Sequence, residues 1–142
     1  MARAQQAKMR RALAACGVAP GERLLEIGCG WGALAECAAR DFGACVTGVT
    51  LSREQLAHGQ ARIHEAGLAG RVDLRLQDYR DETGTYDRIA SIEMFEAVGE
   101  QYWPVYFKQV SQRLADGGIA GLQVITELVI NHTSDQHAWF QA

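Results

Sequence analysis

The run Leu24-Leu25-Glu26-Ile27-Gly28-Cys29-Gly30-Trp31-Gly32 constrains this chain more than any other stretch. An apolar run ends in glycine at three alternate positions, and a helical pattern follows at once. A strand that stops in such a turn opens its backbone to another molecule. Glycine has no Cβ to block a close approach, and it adopts backbone angles closed to other residues. The first NH groups of the next helix have no intrahelical partner and face the same space. The pattern is that of a cradle for a nucleotide-type cofactor on a βα turn.

The rest of the chain continues the alternation. Ala2 to Cys16 reads as a helix, with Met9, Leu13 and Cys16 on one face and Gly17 after it. Arg23 to Ile27 is a strand, and Gly32 to Phe42 a helix with Leu34, Cys37, Ala38 and Phe42 inward. Cys45 to Thr50 is a second strand. Ser52 can cap the next helix, with Gln55 completing a capping box, and that helix runs to about Ala66. Val72 to Gln77 and Tyr86 to Ile92 are further strands. A short helix is predicted over Glu93 to Val98 and a longer one over Gln101 to Leu114, broken at Gly117-Gly118. Ile119 to about Ile130 is a β-rich run containing a fifth strand.

Such alternation predicts an α/β chain with a mostly parallel sheet and right-handed crossovers. Ligands of these sheets bind at the carboxyl ends of the strands, where strand order reverses. The glycine turn, Thr50, Asp78 and Ile92 to Glu96 all fall at such ends, so four separate segments converge on one crevice.

At 142 residues the chain suffices for one domain, 1–142, that would bury roughly 70% of its unfolded surface. The net charge of -3 gives no electrostatic case for nucleic acid. Arg3, Lys8, Arg10 and Arg11 read as a solvated helix face. No apolar run approaches the ~20 residues needed to span a bilayer, and the start lacks the apolar core of a secretion signal. Cys16, Cys29, Cys37 and Cys45 have no zinc-site spacing, so no metal is expected. They read as reduced, mostly buried thiols of a cytoplasmic protein.

Two cofactor readings compete on local pattern. Gly28-x-Gly30-x-x-Ala33 passes a relaxed dinucleotide fingerprint. That fingerprint also wants an acid roughly 20 residues on for the ribose hydroxyl. Here Thr50-Leu51-Ser52 occupies the zone, and the first carboxylate is Glu54.

Four blocks, the glycine turn first among them, and a dipeptide appear in order. They are Leu25 to Gly32, Gly48-Val49-Thr50-Leu51-Ser52-x-x-Gln55, Gln77-Asp78-Tyr79-Arg80-Asp81, Ser91-Ile92-Glu93-Met94-Phe95-Glu96-Ala97-Val98-Gly99, and Tyr102-Trp103. Over about residues 3–126 the chain thereby resembles the cyclopropane-fatty-acyl-phospholipid synthase family. The resemblance implies a Rossmann-like class I methyltransferase three-layer sandwich that binds S-adenosylmethionine. It places Gly28, Gly30, Trp31 and Gly32 near the methionine part and has Glu26 orient its amino group. Thr50 and Gln55 would contact the ribose, and Asp78 and Tyr79 the adenine.

The implied reaction adds the cofactor's methyl group to the cis double bond of an unsaturated phospholipid acyl chain and closes a cyclopropane. Peripheral membrane contact would follow from that substrate. A bound bicarbonate would act as the base, held by Glu96 and the Ile92 carbonyl. On the fifth strand Gln123 stands where many members carry histidine. The family's site cysteine falls upstream of residue 1, Cys16 not being its equivalent, and a site tyrosine falls beyond the last residue.

Residues 127–141 resemble instead a strand and loop of a trehalose synthase or related α-glucosidase barrel, with Asn131 and His132 matching residues near a sugar site. A chimera joined over Gly121 to Thr126 is one expectation. A sheet truncated after the fifth strand is another, leaving Leu122 to Ile130 as an apolar edge that invites a homodimer through that edge or the tail. The competing functional class is a non-catalytic scaffold with a vestigial cofactor cleft.

Overall fold

Strands and helices alternate as the periodicity predicts. The computed structural model describes residues 2–92, 100–123 and 127–131. Helix α1 (Ala2–Cys16) leads into β1 (Arg23–Ile27), α2 (Ala33–Phe42), β2 (Cys45–Thr50), α3 (Arg53–Glu65) and β3 (Val72–Leu76). A 3-10 turn (Tyr79–Asp81) precedes β4 (Tyr86–Ile92), and a second (Glu100–Tyr102) opens α4 (Trp103–Arg113). Strands β5 (Leu114–Gln123) and β6 (Glu127–Asn131) complete the order.

The sheet has six strands in the order β3-β2-β1-β4-β5-β6. The first five run parallel and β6 runs antiparallel to β5. Successive residues of β1 point to opposite faces, which divides the core in two. Leu24 joins Leu13, Leu34, Val46, Ile63 and Leu74 under α1, α2 and α3. Leu25 and Ile27 join Val49, Ile89, Tyr106 and Val110 under α4. Each such side chain contributes about 1.5–3 kcal/mol by leaving water. Between α2 and α3, Glu36 receives both Arg40 and Arg62.

Three expectations change. The helix predicted from Gln101 begins at Trp103, because Pro104 suits the first helical turn, where its missing N–H removes no hydrogen bond. The fifth strand begins at Leu114, and Gly117-Gly118 lies within it rather than before it. The register against β4 slips there, from Tyr86↔Leu114 to Arg88↔Ile119, so the glycine pair sits in an irregularity that the strand carries.

The third change concerns the end of the sheet. The run beyond Ile119 is two strands rather than one, with β6 returning along β5 from Gln123↔Glu127 to Ile119↔Asn131. The parallel part of the sheet ends at β5, and β6 pairs antiparallel along the Ile119–Gln123 stretch of its outer edge. Over that stretch the backbone groups of β5 are paired within the chain. Residues 127–131 thus join this sheet, whatever barrel segment their sequence resembles. The expected helix over Glu93 to Val98, and His132, His137, Trp139 and Phe140, lie outside the described residues.

Helix α1 packs on β4 and β5. A Cβ placed on Gly121 would collide with the Cys16 Sγ, so the close seating of α1 on the sheet depends on that missing carbon. Cys16 is 1% exposed and has little room to give way. Gly121→Val should therefore lower unfolding stability by roughly 1–3 kcal/mol. Urea denaturation checks this, and pairing Gly121→Ala with Cys16→Ala should cost less than Gly121→Ala alone.

Candidate cofactor site

The strand order places β2 and β3 on one side of β1 and β4 and β5 on the other, so the order reverses between β1 and β4. The glycine turn leaves β1 at this point, where a crevice opens outside the carboxyl ends. Gly28 and Cys29 both donate their amides to the Val49 carbonyl at 3.0 Å, which ties the turn to the end of β2. The Gly32 amide closes the turn on the Cys29 carbonyl, also at 3.0 Å. Among the described residues, the amides of Gly30 and Trp31 meet no acceptor.

Gly28, Gly30 and Gly32 have φ of 80°, 52° and 88°, left-handed values that favour glycine. A Cβ on Gly30 would meet no atom within 4 Å. The space above Gly30 is thus open, and a side chain there would occupy the cradle rather than strike the protein. The Trp31 indole is 47% exposed beside the turn and meets the His58 ring edge-on at 5.2 Å.

Beneath the turn lies Glu26, only 3% exposed. It pairs in register with Gly48 and Ala90, neither of which offers a polar side chain. Its Oε1 is buried without a hydrogen-bond partner among the described residues. Burial pushes its carboxyl well above the usual range. The Cys29 thiol beside it is pushed up to about 12, by burial first and by the Glu26 charge second. An acid so placed is out of keeping with a folded core, where an unsatisfied buried polar group costs roughly 1–3 kcal/mol. A bound cation would supply the missing partner.

Along the crevice, Thr50 is buried at the end of β2, and its Oγ1 donates to the Gln55 Oε1 at 3.3 Å. Ser52 caps α3 as expected, accepting the Gln55 amide at 3.2 Å. The reciprocal half of the capping box is absent, because Thr50 Oγ1 already accepts the Ser52 amide at 3.2 Å. Gln55 is left facing Thr50, and the two expected ribose contacts form one hydrogen-bonded pair. Between them Leu51 is 65% exposed, an apolar wall that sequence reading passed over. Its signal was a large aliphatic residue set in a polar strand-to-helix turn.

At the end of β3, the Gln77 amide donates to the Thr50 carbonyl at 3.0 Å and joins the next segment to this one. Asp78 accepts the Arg80 amide at 2.9 Å and pairs with the Arg80 guanidinium at 2.7 Å. That guanidinium holds its carboxyl below the ordinary value. Tyr79 does not face an open pocket with its ring. It is buried and packs edge-on against Tyr106 of α4, with ring centres 5.2 Å apart. What Tyr79 can offer a ligand is its backbone.

On the far side of the reversal, Ile92 and Gln123 stand opposite each other in register at the ends of β4 and β5. Glu96 lies outside the described residues. Ser91 is fully buried beside them, and its Oγ donates to the Ile27 carbonyl at 3.4 Å. No metal-binding group of His, Cys, Asp and Glu occurs among the described residues. Cys16, Cys29 and Cys37 are buried and Cys45 is exposed. Burial, then Asp41, pushes the Cys37 thiol up to about 11.

Two outcomes follow. In the folded chain at about pH 7.5, only Cys45 should react with a thiol reagent, because Cys29 and Cys37 stay protonated and Cys16 is enclosed. Counting labelled thiols by mass spectrometry checks this. For Glu26, the folded chain keeps a proton that the unfolded chain loses above its ordinary carboxylate value. The stability from that proton is complete below about pH 4 and lost as pH rises through the raised folded value. Glu26→Gln should therefore gain stability relative to the parent as pH climbs from about 4, then level off. Urea midpoints across this range test it, and a pH-independent difference would contradict it.

The chain is similar to known proteins. The sequence model of the family described as mycolic acid cyclopropane synthetase matches residues 1–141. That match runs across 127–141 as well as the glycine-turn region. Tuberculostearic acid methyltransferase UfaA1 of Mycobacterium tuberculosis is 46% identical over 127 residues, 89% of this chain and 29% of the relative. The cyclopropane-fatty-acyl-phospholipid synthase of Escherichia coli is 43% identical over 122 residues, 86% of this chain and 31% of the relative. The chain thus spans less than a third of the curated relatives it matches.

Among solved structures, the cyclopropane synthase MmaA2 from Mycobacterium tuberculosis superposes with a TM-score of 0.79 at 35% identity, covering 83% of this chain and 41% of that one. The mycolic acid cyclopropane synthase CmaA1 complexed with SAH and CTAB gives 0.80 at 32% identity, covering 84% and 42%. A family match across almost the whole sequence, on a sheet with the same fold, settles membership: the chain belongs to the mycolic acid cyclopropane synthetase family.

Proposed function

We propose that residues 1–142 form the S-adenosylmethionine-binding domain of an enzyme that methylates the cis double bond of unsaturated phospholipid acyl chains and closes a cyclopropane. One observation carries the cofactor half of this reading: the buried Glu26 carboxylate with an unpartnered oxygen, set beneath an open glycine cradle. The relatives named above as a methyltransferase and as cyclopropane synthases support the acceptor half.

The residues present fit the cofactor group by group. Glu26 would take its ammonium and give up a proton to do so, since a charge pair at this depth stabilises only when both members are ionised. The amides of Gly30 and Trp31, without an acceptor among the described residues, would donate to its carboxylate. Thr50 and Gln55 would exchange their mutual hydrogen bond for the ribose hydroxyls, and Leu51 would lie along the base. Asp78 would accept from the purine amino group, keeping a lone pair beyond those Arg80 uses. Bound there, the cofactor supplies a methyl group on a sulfonium, an electrophile that an alkene can attack. Glu96, with the Ile92 carbonyl, would hold the bicarbonate that serves as base.

The acyl substrate would bring the chain to a membrane surface peripherally. Among the described residues no helix is long and apolar enough to cross a membrane. The homodimer we propose pairs through the apolar edge Leu122 to Ile130 or through the tail; sedimentation at micromolar concentration should show dimer, and monomer alone would contradict it.

Calorimetric titration with S-adenosylmethionine and S-adenosylhomocysteine tests the reading. The parent chain should bind both at micromolar concentrations. Gly30→Val should abolish binding, whereas Glu96→Gln should change affinity by no more than about twofold, under ~0.5 kcal/mol. A folded parent chain that gives no heat would favour a scaffold with a vestigial cleft. Equal loss in both variants would mean that the crevice is misassigned.

A further inference from the structure

Beyond Trp103 at its start, helix α4 carries no residue that the motifs single out, yet it holds the turn on which the base end of the crevice depends. Gln109 reaches from α4 with its side-chain amide and donates to two carbonyls, Tyr79 at 2.9 Å and Glu82 at 2.7 Å. Arg113, one helical turn on, donates to the same Glu82 carbonyl at 3.1 Å. Tyr106, three residues before Gln109, packs its ring against Tyr79. Tyr106, Gln109 and Arg113 lie at helical spacing on one face of α4 and form a three-point clamp.

The clamped segment is short. Between β3 and β4 the chain forms only the 3-10 turn Tyr79–Asp81, not a crossover helix. Inside the turn the Asp81 amide donates to the Asp78 carbonyl at 3.0 Å and the Glu82 amide to the Tyr79 carbonyl at 3.2 Å. Gln109 adds a second donor to the Tyr79 carbonyl and shares the Glu82 carbonyl with Arg113, so it ties the two ends of the turn to one side chain of α4. Glu82, 6% exposed, anchors the far end by accepting the Thr83 and Gly84 amides at 3.1 Å each.

We propose that Gln109 is a positioning residue for base recognition: by bonding the Tyr79 and Glu82 carbonyls, it fixes the turn that presents Asp78 to the purine. The inference rests on the cofactor reading above and adds a determinant of specificity to it. An acceptor that must meet a purine amino group needs its backbone held to a few tenths of an ångström. Asp78 is already drawn towards Arg80, so the clamp decides where the remaining lone pairs point. Without the clamp the turn can shift while the glycine cradle and Thr50–Gln55 pair stay in place.

The test compares two ligands that differ only at the base. S-adenosylhomocysteine carries an amino group that Asp78 can accept from, and S-inosylhomocysteine a carbonyl that Asp78 repels. The parent chain should prefer the first. Gln109→Leu, which keeps the side chain's size and loses both donors, should weaken S-adenosylhomocysteine about tenfold, as loss of one well-placed hydrogen bond between Asp78 and the purine implies. Its affinity for the inosyl ligand should stay within about twofold, so the preference collapses. Gln109→Lys, which retains a donor, should recover part of it.

A purely structural role would lower both affinities equally and leave the preference intact, which would overturn the proposal. So would an unchanged preference at unchanged affinity. A parent chain that binds neither ligand defeats the cofactor reading itself and the proposal with it. Gln109→Glu, which sets a carboxylate against two carbonyls, gives a second variant, expected to lose the preference at least as fully.

Discussion

Everything at the crevice depends on β1 being held in the middle of the sheet. It is bonded to β2 on one side and β4 on the other, and both its faces are buried. The ladder leaves β1 no freedom in register, because a slip of one residue would exchange Leu24 and Leu25 between the two core faces. That fixed register has a consequence for the one polar residue in the strand. Glu26 cannot turn to water, and its neighbours across both ladders are Gly48 and Ala90. The apolar packing that stabilises the sheet is what holds a carboxylate dry beneath the cradle.

From this strand the site is built outward by short bonds between strand ends. The Val49 carbonyl gathers the start of the glycine turn, and the Thr50 carbonyl gathers Gln77. Ser91 reaches back to Ile27 across the reversal point. Residues far apart in sequence therefore share one rigid rim, and each subsite is located relative to the next. Helix α4 braces the rim through Gln109 and Tyr106. Rigid supports of this kind let a cofactor be bound without a large ordering penalty.

Much of this was legible in the sequence. The glycine run, the alternation of apolar strands with helical patterns, and the cap at Ser52 are local signals, and each led to the right element. The glycine turn, Thr50 and Asp78 stand at or just past the carboxyl ends of β1, β2 and β3, as the alternation of elements predicts, and Glu93 to Glu96 lie outside the described residues. What escaped were features set by tertiary pairing. The pairing of β5 with β6 could not be distinguished from one long strand, because Val124-Ile125-Thr126 carries no turn residue to mark a break. The Gly117-Gly118 pair reads as a break, and only the partner strand makes it an irregularity within β5. Tyr79 looks like a ligand residue by motif and is a core residue by packing. Gln109 has no motif at all, since its role comes from two carbonyls some thirty residues away.

The central claim is that Glu26 is buried with one oxygen lacking a partner among the described residues and is ionised by a cation seated on the glycine cradle. Carbon-13 NMR of the Glu26 side-chain carboxyl, followed through pH with and without S-adenosylhomocysteine, addresses it directly. The account predicts a titration midpoint well above that of an ordinary glutamate in the free chain, and an ionised carboxylate in the complex at the same pH. An ordinary midpoint that does not respond to ligand would contradict it.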